Sequence, residues 1–219
     1  VVSPTEFEAH VAYLAKEFTC VTVAELVEHL VAGTQYPRRA IAISFDDGYA
    51  NNVEQALPIL KRYGVPATFY LVTAFVGGKR LFWDHLLEAA LEASCDRRVT
   101  LEIAGQRLAF DLTSHEGRAI ALDSLLPVCR PTSNDGLCPL PAPLSEAFGN
   151  PIVIGDSPYA AMSWTQAREL VAAGMHIGIH TMAHTPITQM TREDAIEDAQ
   201  TSRAKLGTEI GVDARDFCY

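Results

Sequence analysis

Apolar positions along the first forty residues recur at helical spacing. Phe7, Val11 and Leu14 share one face behind Ser3-Pro4-Thr5-Glu6, which combines an N-cap, a first-turn proline and a glutamate at the capping-box position. Thr22 with Glu25 repeats that arrangement ahead of Leu26, Val27 and Leu30, and Gly33 supplies the stop. The period then changes. Ala40-Ile41-Ala42-Ile43-Ser44-Phe45 is a short apolar run that predicts one strand of a buried parallel sheet, and it ends abruptly in Asp46-Asp47-Gly48. Val53, Ala56, Leu57 and Leu60 predict a helix reaching Tyr63 and closed by Gly64, with Pro58 kinking or shortening its first turns. Pro66 to Val72 predicts a second strand. Ser163 caps a helix over Trp164 to Ala173, Met175 to His180 reads as a strand, and Thr191 with Asp194 opens a last helix running to about Leu206.

Strands alternating with helices of this length imply βαβ crossovers, and hence an α/β protein with parallel pairing. The rhythm breaks between residues 82 and 159. Phe82 to Ala93 and Ser114 to Leu126 read as helices, and Val99 to Phe110 reads as two short strands about the Ala104-Gly105 turn. Pro127 to Pro158 then holds seven prolines, a density that predicts no regular structure. Residues 82–159 are therefore expected to be an irregular insertion, leaving 1–81 and 160–219 as the βα core.

A hydrophobic fraction of 48% is ample for a buried core. Seventeen Lys and Arg against 27 Asp and Glu leave a net charge of −10 without a basic run, which argues against nucleic acid as a partner. No apolar stretch approaches the roughly 18 residues of a transmembrane segment. The chain opens on Val1 with no signal-peptide pattern, a start that says little about compartment. Five cysteines, with no C-x-x-C, exclude a disulfide scaffold and a cysteine-based zinc site; Cys129 and Cys138 are either free thiols or the ends of one bridged loop.

Two clusters carry candidate chemistry. Asp46-Asp47-Gly48 follows a buried strand, and in parallel βα architectures active sites assemble at that carboxyl end. A polar turn with glycine at positive φ explains the same tripeptide, but two adjacent carboxylates also allow one to bind a cation while its neighbour takes a proton. His180-Thr181-Met182-Ala183-His184 is the second cluster. His176, Gly178 and His180 alternate onto one strand face, with His184 in the following turn; a helix would still pair His180 with His184 at i, i+4. Two imidazoles with one carboxylate suit zinc or a similar divalent ion and leave positions open for water and substrate. Unrelated hydrogen-bonded histidines are the alternative, and His176, deeper on the same face, reads as structural.

Ile43-Ser44-Phe45-Asp46-Asp47-Gly48-Tyr49 resembles the first motif of the polysaccharide deacetylase family (NodB-like, carbohydrate esterase family 4), written T-F-D-D-G. His180 to His184 resembles its second, H-[ST]-x-x-H, and the strand Gly64 to Tyr70 and the approach Met162 to Gln166 agree in context. The resemblance covers 1–81 and 160–219. It implies a distorted, incomplete (β/α) barrel of the NodB-homology type and metal-dependent hydrolysis of N-acetyl groups on a GlcNAc-containing or similar acetylated glycan. Carried over, Asp47, His180 and His184 would hold the metal, commonly zinc; Asp46 would be the general base on the metal-bound water; Thr181 would brace the ligand loop.

There are departures. Ser44 stands for the usual threonine. The third motif begins at Phe217-Cys218-Tyr219, where the chain stops, so the oxyanion donor and the general acid are expected beyond Tyr219. Cys218 falls where an arginine-bearing version of that motif pairs with the base. None of His10, His29, His85 and His115 has a context fitting the acid. About 140 residues remain once the insertion is set aside, against about 250 for a full barrel, which predicts a partial catalytic domain that can lack turnover by itself. Two rival functions stand beside the deacetylase: a non-catalytic glycan-binding domain of this fold, and a hydrolase of a non-sugar amide or an acetyl ester. Trp83 and Tyr159 either stack on sugar rings or pack in a core. A glycan target favours the cell envelope or outside, while the odd cysteine speaks against a strongly oxidising compartment; the sequence sets no oligomeric state.

Overall fold

The protein is described from a computed structural model, which covers residues 2–78, 80–103, 105–128, 140, 142–149, 157 and 159–219. The first helix, α1 (Pro4–Glu17), starts at Ser3 with both halves of the capping box made. A short strand, β1 (Thr19–Val21), leads to α2 (Val23–Ala32), capped by Thr22 with Glu25 and stopped by Gly33 in the left-handed conformation. The apolar run after it is not one strand. It forms β2 (Ala40–Ala42), parallel to β1, and β3 (Ser44–Phe45), parallel to β4 (Thr68–Leu71). Between β3 and β4 lies α3 (Leu57–Tyr63), preceded by a wide π-type turn over Asn52–Ala56. Pro58 sits in the first turn of α3, where its missing N–H costs nothing, and the chain ahead of it widens because a proline ring crowds the carbonyl four residues back.

Four helices and a hairpin follow in sequence. They are α4 (Trp83–Glu92), β5 (Arg98–Ile103) antiparallel to β6 (Gln106–Asp111), α5 (His115–Val128), α6 (Ala142–Phe148) and α7 (Trp164–Ala172). The chain then returns to the parallel sheet with β7 (His176–Ile179), which pairs with β4, and ends its helices with α8 (Arg192–Ile210). Helix α8 runs four residues past the expected Leu206, because Gly211, at φ 73°, provides the stop.

The expectation of no regular structure between Pro127 and Pro158 is corrected by α6. Pro143 lies in its first turn, where proline is tolerated, and Leu144 and Phe148, one turn apart, are buried. Cys129 and Cys138 lie outside the described residues; Cys20, Cys95 and Cys218 are free thiols. Among the described residues no helix is long and apolar enough to cross a membrane.

The chain divides into two compact units, Val1–Lys79 with Pro158–Tyr219, and Arg80–Ser157. In the second, Leu87 and Leu91 of α4, Leu101 and Phe110 of the hairpin, Leu125 of α5 and Leu144 of α6 form one apolar cluster, against which Trp83 packs. In the first, the parallel order is β3-β4-β7. Strand β4 is buried at all four positions, as a central strand covered on both faces must be. Phe45 and Phe69, in register across β3 and β4, stack with centroids 4.7 Å apart. The segment Asp216–Cys218 extends the array beyond β7: Ile179 N–H donates to the Asp216 carbonyl at 2.8 Å, and Cys218 N–H to the Ile179 carbonyl at 2.9 Å. The described strands form an open array rather than a closed barrel.

Candidate metal centre

The three strands β3, β4 and β7 run in one direction, so their carboxyl ends lie together. Asp47 follows β3 and His180 follows β7, on either side of the central strand. Two ladder bonds carry the pairing past the strand ends: Val72 N–H to the Asp47 carbonyl at 3.1 Å, and His180 N–H to the Leu71 carbonyl at 3.0 Å. The two flanking chains lie about 9.6 Å apart across β4, and their side chains close that gap above its end. Asp47 turns at φ 74° and Gly48 at φ 97°. A Cβ on Gly48 would stand 2.8 Å from Val76 Cγ2, so the turn needs glycine for space as well as for φ.

The outcome is convergence on one oxygen. Asp47 Oδ1 lies 3.4 Å from His180 Nε2 and 3.5 Å from His184 Nε2, and the two imidazole rings are 5.1 Å apart. His180 is 7% exposed, whereas His184 opens to solvent. The orientation of His180 is determined by its other nitrogen, which donates to the Cys218 carbonyl at 3.0 Å. A carbonyl can only accept, so Nδ1 carries the proton, and in the neutral ring Nε2 presents a lone pair to the carboxylate. Asp47 Oδ1 is buried and has no hydrogen-bond partner among the described residues. The His180 lone pair facing a buried carboxylate oxygen without a hydrogen-bond partner is costly unless a cation lies between them. The spacing suits one: donors about 2.0–2.1 Å from a tetrahedral zinc stand roughly 3.3 Å from each other.

Asp46 faces the same space from the exposed side. Its carboxylate, His180 and Cys218 form a second set of donors within 4.8 Å of one another. Burial, followed by the charge of Asp46, holds the Cys218 thiol above its usual value of 9.0, so it stays protonated and hydrogen-bonds to that carboxylate. Tyr70 of β4 is buried near Asp46 and Cys218. Its ring lies against Gly178, where a Cβ would meet it at 2.4 Å, and burial together with Asp216, Cys218 and Asp46 pushes its phenol up to about 12. His176, deeper on the same face, pairs through Nε2 with Asp216.

The loop carrying the histidines is strained. Thr181 and His184 have φ of 63° and 58°, a region that a β-branched residue such as threonine rarely enters. The Thr181 hydroxyl is buried without a hydrogen-bond partner among the described residues, so the bracing visible in the loop runs through backbone groups. Thr73 N–H donates to the Thr181 carbonyl at 3.3 Å and Ala74 N–H to the Met182 carbonyl at 2.8 Å. Asp198 of α8 accepts the Met182 N–H on both carboxylate oxygens, at 2.9 and 3.0 Å. Burial raises the Asp198 carboxyl above 3.8, opposed by its bonds from Met182 and Ser202. Sequence reasoning missed Asp198. The available signal was the spacing of Asp198, Ser202 and Leu206 at i, i+4 and i+8, which places polar residues on a buried stripe.

A family model described as polysaccharide deacetylase matches residues 33–96 and 152–219. YxkH of Bacillus subtilis (strain 168) is 30% identical over 102 residues, which cover 46% of this chain and 35% of YxkH. The poly-beta-1,6-N-acetyl-D-glucosamine N-deacetylase of Staphylococcus aureus (strain MSSA476) is 35% identical over 77 residues, 35% of this chain and 26% of that protein. Among solved structures, the Streptococcus pyogenes deacetylase PplD in complex with acetate superposes with a TM-score of 0.58 at 14% identity, over 100% of this chain and 62% of that one. IcaB from Ammonifex degensii superposes with a TM-score of 0.55 at 18% identity, over 99% and 66%. The chain thus shares the fold of these structures while spanning about a third or less of the curated relatives.

Proposed function

The chain belongs to the polysaccharide deacetylase family, and from that membership we propose that it serves metal-dependent hydrolysis of N-acetyl groups on a GlcNAc-containing glycan of the cell envelope or exterior. One observation carries the reading: the buried, unpartnered Asp47 Oδ1 with the Nε2 atoms of His180 and His184 converging on it. These three residues are assigned as the metal ligands, with zinc as the first candidate. When bound, such an ion supplies Lewis-acid polarisation of the acetamide carbonyl and lowers the pKa of an adjacent water.

The remaining roles follow from position. Asp46, exposed beside His180 and outside the three-donor set, is assigned as the general base that takes the proton of the attacking water. Cys218 turns its backbone carbonyl to His180 Nδ1 and thereby keeps the Nε2 lone pair aimed at Asp47. Tyr70, protonated at any physiological pH, stands near Asp46 without adding charge. Thr181 is assigned to the support of the ligand loop through its carbonyl, which accepts the Thr73 amide.

The test combines metal content with turnover. The protein is expected to bind one zinc or Co(II) per chain and, assayed also in a longer form that continues past Tyr219, to release acetate from N-acetylglucosamine oligomers, with β-1,6-linked oligomers tried first because of the S. aureus relative's substrate. Asp46→Asn should keep the metal and lose acetate release by about 100-fold or more. Asp47→Ala should lose both. Metal uptake with no acetate from sugar or ester probes, in this chain and in a longer form that continues past Tyr219, would replace this reading with a glycan-binding domain, and acetate from ester probes alone would replace it with an esterase.

A further inference from the structure

We propose that Asp198 is a positioning residue for the two-histidine loop, acting through the Met182 amide and forming one end of a relay that starts at Thr73. The inference rests on the metal-site reading above and adds a residue to it. Thr73, wholly buried just beyond β4, donates its hydroxyl to Ser202 Oγ at 3.3 Å, and Ser202 is itself wholly buried on α8. Ser202, one turn along the helix, hydrogen-bonds in turn to the Asp198 carboxylate. That carboxylate accepts the Met182 N–H on both oxygens. Every donor in the series has an acceptor, and the only full charge sits on the atom nearest the loop.

Placement explains why the loop needs this. Met182 lies midway between His180 and His184, and its neighbour Thr181 holds a left-handed conformation disfavoured for a β-branched residue. Backbone in such a state relaxes unless its surroundings over-determine it. The loop is held from one side by Thr73 and Ala74, whose amides bind the Thr181 and Met182 carbonyls, and from the other by Asp198. Thr73 acts on both sides at once, since its amide grips the loop while its hydroxyl orients Ser202. A charge-assisted bond to a backbone amide is about twice as strong as a neutral one. Without it, the Met182 amide is left to solvent, and relaxation at Thr181 swings His180 and His184 apart. About 150 residues separate Asp198 from Asp47 along the chain, yet α8 packs on β7 and delivers the carboxylate to this point.

The experiment uses the whole chain in wild-type, Asp198→Ala, Asp198→Asn and Ser202→Ala forms. Co(II) affinity is measured by titration of its visible absorption, and hydrogen exchange at the Met182 amide is followed in metal-free protein. Asp198→Ala is expected to weaken Co(II) binding by about 10–100-fold, the range for residues that orient metal ligands, and to abolish Met182 protection. Asp198→Asn, which keeps one acceptor oxygen, should recover part of both effects; Ser202→Ala should give a smaller loss of affinity. Thermal midpoints identify any variant that fails to fold, in which case Asp198→Asn and Ser202→Ala decide. Wild-type Co(II) affinity in Asp198→Ala, or loss of affinity with unchanged Met182 exchange, would overturn the inference. Wild-type protein that protects Met182 but takes up no Co(II) would overturn the metal reading itself, so the two failures are distinguishable.

Discussion

Asp47, Thr181 and His184, three of the four non-glycine residues with left-handed φ among those described, stand within one site. Strain of this kind costs about 1–3 kcal/mol per residue, and its concentration at the carboxyl ends of β3 and β7 marks where the fold gives up stability for geometry. Gly178 shows the same economy of space. A Cβ there would meet the Tyr70 ring at 2.4 Å in a buried strand, so Gly178→Ala is expected to destabilise the protein by about 1–3 kcal/mol, read from denaturant midpoints. In a Tyr70→Leu background, where the ring is gone, the added cost of Gly178→Ala should fall below about 1 kcal/mol, because the two positions couple through contact.

Elements owe their ends to local chemistry. Ser3, Thr22, Ser163 and Thr191 each complete a capping box, and all four were readable from three-residue spacings. Thr191→Ala should therefore cost about 1 kcal/mol by denaturant unfolding, and more of that loss should appear as fraying of α8 near its start. The β5–β6 hairpin carries its own electrostatic lock. The Thr113 hydroxyl and the Arg98 guanidinium hold the Asp111 carboxyl at about 2, below its ordinary 3.8. A carboxyl with a lowered folded value favours the folded state above the unfolded value, so this contribution is complete above about pH 4 and fades as pH falls through about 2. Carboxyl chemical shifts should show that titration, and Thr113→Val should return its midpoint toward 3.8. Elements that periodicity misjudged were decided by partners. The run from Ala40 to Phe45 reads as one strand, but β2 and β3 turn to different neighbours. Similarly, α6 forms among prolines because Leu144 and Phe148 have a core to enter.

At the scale of the whole molecule, the proposed metal site ties geometry to stability. An ion that binds the folded chain and not the unfolded one adds about 2.7 kcal/mol at 100 times its dissociation constant. Chelation of a zinc-loaded sample should lower the melting temperature by roughly 5–10 °C, while Asp47→Ala should melt at the chelated value with or without zinc. Calorimetry checks both. The sequence by itself determined the α/β alternation, the helix caps, and the two clusters Asp46-Asp47 and His180 to His184, because spacing along a chain records which face a side chain occupies and which backbone groups it can reach. Only the tertiary structure decided that Asp47 Oδ1 faces both imidazoles, that the Cys218 carbonyl selects the His180 tautomer, and that Asp198 grips the loop between the histidines. These contacts join residues from about 16 to more than 130 positions apart. The closing of such distances depends on the packing of a shared core, and that is a property no local pattern encodes.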